Sequence, residues 1–159
     1  MLALSIGIWI VLVFSFRVAF LGNPLYKHVT GEDPEFLDHI EQVTLHDRSG
    51  ATEEELHFLQ RFSRLTLMEF AVFLLEMGLL IYLFVAEILM WLSFTLILKN
   101  VFFVGITVVF AHRLTRNSVF ASLVELPPWL IWLDRLSSLL SAIGTLVIFL
   151  ELNNLTPWQ

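Results

Sequence analysis

Residues 66–111 read TLMEFAVFLLEMGLLIYLFVAEILMWLSFTLILKNVFFVGITVVFA, and how this stretch is divided decides the fold. It holds 46 residues. As a single helix rising about 1.5 Å per residue it would be about 69 Å long. A hydrocarbon core about 30 Å thick takes roughly 20 helical residues, so the run is too long for one crossing and right for two. No Pro or Gly marks a turn near its middle. Glu87 lies there instead, with Trp91 just after it, residue types expected where a chain meets the membrane interface. The stretch reads as a hairpin of two spans, residues 66–87 and 88–112.

Composition agrees. The chain has 159 residues, 57% of them hydrophobic and 15% charged, with a mean hydropathy of +0.79. A soluble domain of this size has too little interior to hide so much apolar surface, which predicts an integral membrane protein. With no cysteine in the chain, disulfides, thiolate metal sites and a thiol nucleophile are excluded. A formal net charge of −6 without a basic cluster argues against a nucleic-acid partner.

Outward from the hairpin, residues 1–22 and 131–152 are each long and apolar enough for one span. The first lacks a basic n-region, and no small-x-small site precedes Asn23, so it is expected to be retained rather than cleaved as a signal. The expected fold is all-α, with four transmembrane helices. A polar segment, 23–65, forms the first connection and carries nine acidic and four basic residues. Asn23-Pro24 ends the first helix. The pattern of Phe36, Ile40 and Val43 predicts a short helix around Pro34–Val43. Arg48-Ser49-Gly50 is turn-like, and Thr52 followed by Glu53, Glu54 and Glu55 has the form of a capping box. Nothing breaks the helix from there into the membrane. The second transmembrane helix is therefore expected to extend out of the bilayer, beginning near residue 52.

Of nine Lys and Arg residues, eight (Arg17, Lys27, Arg48, Arg61, Arg64, Arg113, Arg116 and Arg135) fall in or beside the first and third connections. The positive-inside rule then puts segments 23–65 and 113–130 in the cytoplasm, and both termini, including the tail 153–159, outside. Trp129 and Trp132 suit the inner interface and Trp158 the outer. The expected location is a plasma membrane of the bacterial inner-membrane kind. Pro127-Pro128 sets the entry of the fourth span, and Val119–Leu126 is expected along the membrane surface.

Glu69, Glu76 and Glu87 share one stripe of a helix. Glu76 lies about two turns and Glu87 about five turns beyond Glu69, which returns each to nearly the same angle. They differ in depth, with Glu69 and Glu87 about 27 Å apart along the axis. Glu69 is expected near the inner interface, with Arg17 and Asp134 as neighbours, and Glu87 at the outer turn. Only Glu76 is deep. If the hairpin folds at 87–88, residues at equal depth have numbers adding to about 175, which sets Lys99 opposite Glu76. An unpaired charge there costs roughly 2.5–3.5 kcal/mol, so a Glu76–Lys99 pair is favoured, with Asn100 supplying a further hydrogen bond.

Ser137, Ser141 and Thr145, with Gly144 beside them, form a small-residue face expected to pack against another helix. On the projecting helix, Phe58, Phe62 and Leu65 offer a face for docking a partner. The histidines His28, His39, His46, His57 and His112 all fall on the expected cytoplasmic side. Glu54-x-x-His57 has the spacing of a carboxylate-bridged di-iron site but lacks the required second copy. Two histidines inside the bilayer, as a bis-histidine haem needs, are absent from the sequence pattern. Nucleophile motifs, phosphate-binding glycine loops and paired catalytic carboxylates are also missing, so neither an enzymatic activity nor a bound cofactor or metal is expected. The expected role is a small accessory subunit that stabilises or assembles a larger membrane complex, in contact with membrane lipid and other membrane subunits. The alternative is a component of an ion- or proton-coupled transporter or channel using Glu76 and Lys99, for example as a homo-oligomer.

Overall fold

The computed structural model describes residues 2–46, 51–114 and 127–153. Every regular element among them is a helix: α1 (Leu2–Leu21), α2 (Pro24–Thr30), α3 (Pro34–His46), α4 (Glu53–Val85), α5 (Met90–Leu114) and α6 (Pro128–Leu152). Four helices are long and apolar enough to cross a membrane, those built on α1, α4, α5 and α6. The turn expected at Arg48–Gly50, the surface segment Val119–Leu126 and Trp158 in the tail lie outside the described residues.

Local chemistry explains where the helices begin and end. After Leu21, Gly22 adopts a left-handed φ of 82°. Its N–H donates to the Val18 carbonyl at 2.9 Å, a helix stop suited to glycine. Asn23 then caps α2 by accepting from the Leu25 N–H at 2.8 Å. Pro24 occupies the first helical turn, where its missing N–H costs nothing. The capping box at Thr52 is formed in both directions. The Glu55 N–H donates to Thr52 Oγ1 at 3.3 Å, and the Thr52 N–H donates to Glu55 Oε2 at 2.7 Å. From that cap α4 runs 33 residues, about 50 Å.

The hairpin turn needs no glycine because two other residues take the left-handed conformation, Glu87 at φ 58° and Leu89 at φ 53°. Each costs on the order of 1 kcal/mol in local strain. The Ile88 N–H reaches back to the Leu83 carbonyl at 3.0 Å, which closes the end of α4.

The spans form a bundle of their own. α1 packs most extensively along α6, α4 packs against α1 and α5, and α5 packs against α6. Each contributes to one apolar centre made of Ile8, Leu80, Leu83, Leu96 and Ile148. At Gly144 an added Cβ would lie 2.6 Å from Leu96 Cδ1. The absence of a side chain there is what lets α5 approach.

A second, smaller core joins the polar segment to the start of α4. Val29, Leu37, Ile40 and Phe58 are buried together, with Phe36, Leu59 and Phe62 packed around them. The His28 ring stacks on Phe58 with centroids 4.5 Å apart. This corrects the expected docking face. Phe58 is covered by α2 and α3, and Phe62 lies against the same cluster. The reason is that a short amphipathic helix, connected by a few residues, finds the nearest apolar surface in its own chain. Leu65 is half-buried.

Candidate functional site

The deep acid Glu76 faces the crossing of α5 and α6. Lys99 extends from α5 to α6, where its Nζ donates to Ser141 Oγ at 2.5 Å and to the Ser137 carbonyl at 3.1 Å. The Ser141 hydroxyl donates in turn to Glu76 Oε1 at 2.6 Å, and Lys99 Nζ stands 3.9 Å from the same oxygen. The arrangement thus runs from ammonium to hydroxyl to carboxylate across three helices. The side chains of Lys99 and Glu76 are only 16% and 12% exposed, so both charges are withdrawn from the apolar outer surface of the bundle.

Helical rise alone sets Lys99 at the level of Glu76, whereas the small-residue face suggests only packing for Ser141. Ser141 does both. A helical hydroxyl one turn beyond Ser137 points into the same contact as the Ser137 carbonyl, and a long lysine side chain reaches both. The signal available in the sequence was the Ser137, Ser141, Thr145 stripe on a span whose depth matches Lys99. Asn100 takes a different partner from the one expected. It is buried, and its Nδ2 donates to Sδ of Met77, the residue after Glu76 on α4, at 3.6 Å.

The space beside Glu76 is small. A void of about 10 Å³ is lined by Ile8, Val11, Leu79, Leu80, Leu83, Thr145 and Ile148 together with Glu76. That is at the lower limit for one water molecule, and its walls are almost wholly apolar. Chemically, the site can hold two opposite charges and a shared hydroxyl in register. It offers no room for a substrate.

A second polar group lies nearer the first connection. The Asn23 side chain reaches the carboxyls of both Glu69 and Asp134, and Arg135 adds its charge near Asp134. Glu69 Oε1, Asp134 Oδ2 and Arg135 Nε are buried without a hydrogen-bond partner among the described residues. Arg17, expected as a neighbour of these acids, instead lines an open cavity with Lys27 and Arg61. It does so because it projects from the exposed face of α1, while Val18 beside it is buried. Glu87 is exposed in the hairpin turn.

Among the described residues the histidines do not converge. His39 Nδ1 donates to Glu55 Oε1 at 2.5 Å, which fastens α3 to the first turn of α4. His28 Nε2 donates to the Phe58 carbonyl at 3.4 Å. Glu54 and His57 are both exposed, and the side chains of His46 and His112 lie outside the described residues. No group of three or more His, Asp and Glu side chains comes together among the described residues. Searches against protein-family models, curated proteins and solved structures give no match for this chain.

Proposed function

We propose that this protein is a small helical membrane subunit whose work is structural, stabilising or assembling a larger membrane complex through helix packing. One observation carries the reading. The deep charges are engaged with each other through Ser141, beside a void of about 10 Å³. A translocation path needs ionisable groups that face a wet cavity, whereas an enclosed pair fixes how helices sit. The same fixed bundle leaves apolar surface for other polypeptides. In the most apolar window of α5, 17% of residues are buried within the chain, against 39% in α6, so the contacts are proposed on the α4–α5 side. Trp91, Phe94, Leu98 and Phe102 of α5 are among the large exposed side chains there, with Phe70 and Tyr82 of α4.

The distribution of basic residues supports an orientation with segments 23–65 and 113–130 in the cytoplasm and both termini outside, in a plasma membrane of the bacterial kind. On that orientation, the polar first turns of α4 and the helices packed on them form the cytoplasmic part, with no cofactor or catalysis of their own.

Purification of the native protein in mild detergent tests the reading. Other membrane subunits are expected to accompany it in fixed ratio. A homo-oligomer that carries protons or cations into liposomes, with flux abolished by Glu76→Gln, would overturn it in favour of a transport component.

A further inference from the structure

At the end of α1, three helices surround an open cavity of about 380 Å³. Arg17 of α1, Lys27 and His28 of α2, and Arg61 of α4 stand in its wall, with Glu32 as the single acid. These bases are scattered along the sequence and are brought together by the fold. Their grouping runs against the composition, since the chain is net −6 and the polar segment 23–65 is dominated by acids. Among the described residues, neither Arg17, Lys27 nor Arg61 has an ion-pair partner. His28 serves as wall rather than as a further donor, because Nε2 is used on the Phe58 carbonyl and the ring is stacked.

Collecting unpaired like charges is unfavourable unless an anion joins them. The position says which anion. Arg17 sits one turn before the end of a membrane-spanning helix, and the side chains next to it, Phe16, Phe20 and Leu21, are 44%, 66% and 61% exposed. Phe16 and Phe20 stack on each other with centroids 5.3 Å apart, and Leu21, next to Phe20 in the chain, lines the cavity itself. A ligand with a phosphate at one end and hydrocarbon at the other meets both surfaces at once. Basic pockets at the membrane boundary of helical bundles suit such head groups.

We infer that this cavity binds the phosphate of an anionic phospholipid, with its acyl chains along Phe16 and Phe20. Arg17 and Arg61 supply forked N–H donors to the phosphate oxygens, and Lys27 adds a mobile point charge. The bound lipid ties α1, α2 and α4 together at the point where the chain leaves the membrane. Such binding requires only that α1 spans the bilayer, and it stands apart from any assembly role.

Thermal unfolding of the full chain in non-ionic detergent tests it, with phosphatidylglycerol, phosphatidylcholine or inorganic phosphate added. Phosphatidylglycerol is expected to raise Tm in a saturable way, and phosphatidylcholine and phosphate to leave it unchanged. Each of Arg17→Gln, Lys27→Gln and Arg61→Gln should weaken the apparent lipid affinity roughly fivefold. Glu32→Gln removes the acid at the rim without disturbing packing and should tighten it up to about fivefold. Arg64→Gln, a change to an exposed base outside the cavity wall, should leave it unaltered. Equal stabilisation by phosphatidylcholine, or an Arg64→Gln loss as large as that of Arg17→Gln, would overturn the site. Stabilisation by inorganic phosphate alone would assign the cavity to a soluble phosphate and overturn the lipid.

Discussion

Glu55 and Glu76 are two carboxylates on one helix, 21 residues or about 31 Å apart. Each engages a group carried by another helix. Glu55 takes hydrogen bonds from the Thr52 N–H and from His39 of α3, and Glu76 contacts Ser141 of α6 and Lys99 of α5. What differs is the partner's access to water. Both carboxylates are shielded, Glu55 at 5% and Glu76 at 12% side-chain exposure, but the His39 side chain is 60% exposed, so water can take its place, whereas that of Lys99 is 16% exposed. The same chemical group is therefore a replaceable fastening at the polar end of α4 and an obligatory one in its apolar half. How far water reaches the partner, more than the number of contacts, sets what each is worth.

The largest effect follows from breaking the deep pair on one side. Lys99→Met leaves the Glu76 carboxyl without its cation in an apolar setting and is expected to cost about 3 kcal/mol in detergent unfolding. The double variant Glu76→Gln with Lys99→Met removes both charges and should recover most of that loss, since matched removal of a buried pair is often close to neutral. If the double variant is as unstable as the single, the two charges do not depend on each other. The equivalent substitution at the polar end, His39→Ala, should change global stability much less than Lys99→Met, which reduces the comparison to one pair of measurements.

A smaller effect separates the roles of the two serines on α6. Ser141→Ala deletes the hydroxyl shared by the charges and leaves them 3.9 Å apart with no bridge, an expected loss of about 1 kcal/mol. Ser137 acts through its backbone carbonyl, so Ser137→Ala should be neutral within about 0.5 kcal/mol. Equal losses at both positions would mean that tight packing, and not the hydroxyl, is what Ser141 contributes.

The span architecture was legible because apolar length and the cost of buried backbone leave few alternatives. The 66–111 run had to turn near Glu87, and the turn occupies residues 86–89. Depth arithmetic along a straight hairpin could set Lys99 level with Glu76, because helical rise is nearly constant. It had no means of seeing Ser141, whose angle and height depend on how α6 docks, a tertiary quantity. The same limit hid the small core around Phe58. Phe36, Ile40, Phe58 and Phe62 were readable as apolar faces of two helices, but which surface each would cover depends on loop geometry between α2, α3 and α4. The cavity at Arg17 was hidden for a related reason, since Arg61 lies far along the chain from Arg17 and Lys27 and the three bases form no motif.

The smallest effect is expected at Glu55, and pH isolates it. The Thr52 N–H, foremost, and the His39 side chain hold this carboxyl below its ordinary value of 4.5, although burial opposes them. A group whose folded pKa is depressed contributes stability that is fully present above its unfolded value and lost as pH falls through the folded one. Hydrogen exchange at the first turn of α4 and at α3 should therefore be slow above about pH 5 and speed up, after correction for intrinsic rates, as the pH drops below about 4.5. Glutamine can still close a capping box, so Glu55→Gln should retain part of the protection and lose its pH dependence. Exchange in the apolar half of α4 should not follow this titration, because the cap and the His39 contact fasten the end of the helix and not the bundle. A loss of protection that spread to Leu80 and Leu83 over the same pH range would show that the two ends of α4 are coupled, and that the separation between a replaceable and an obligatory carboxylate is too sharply drawn.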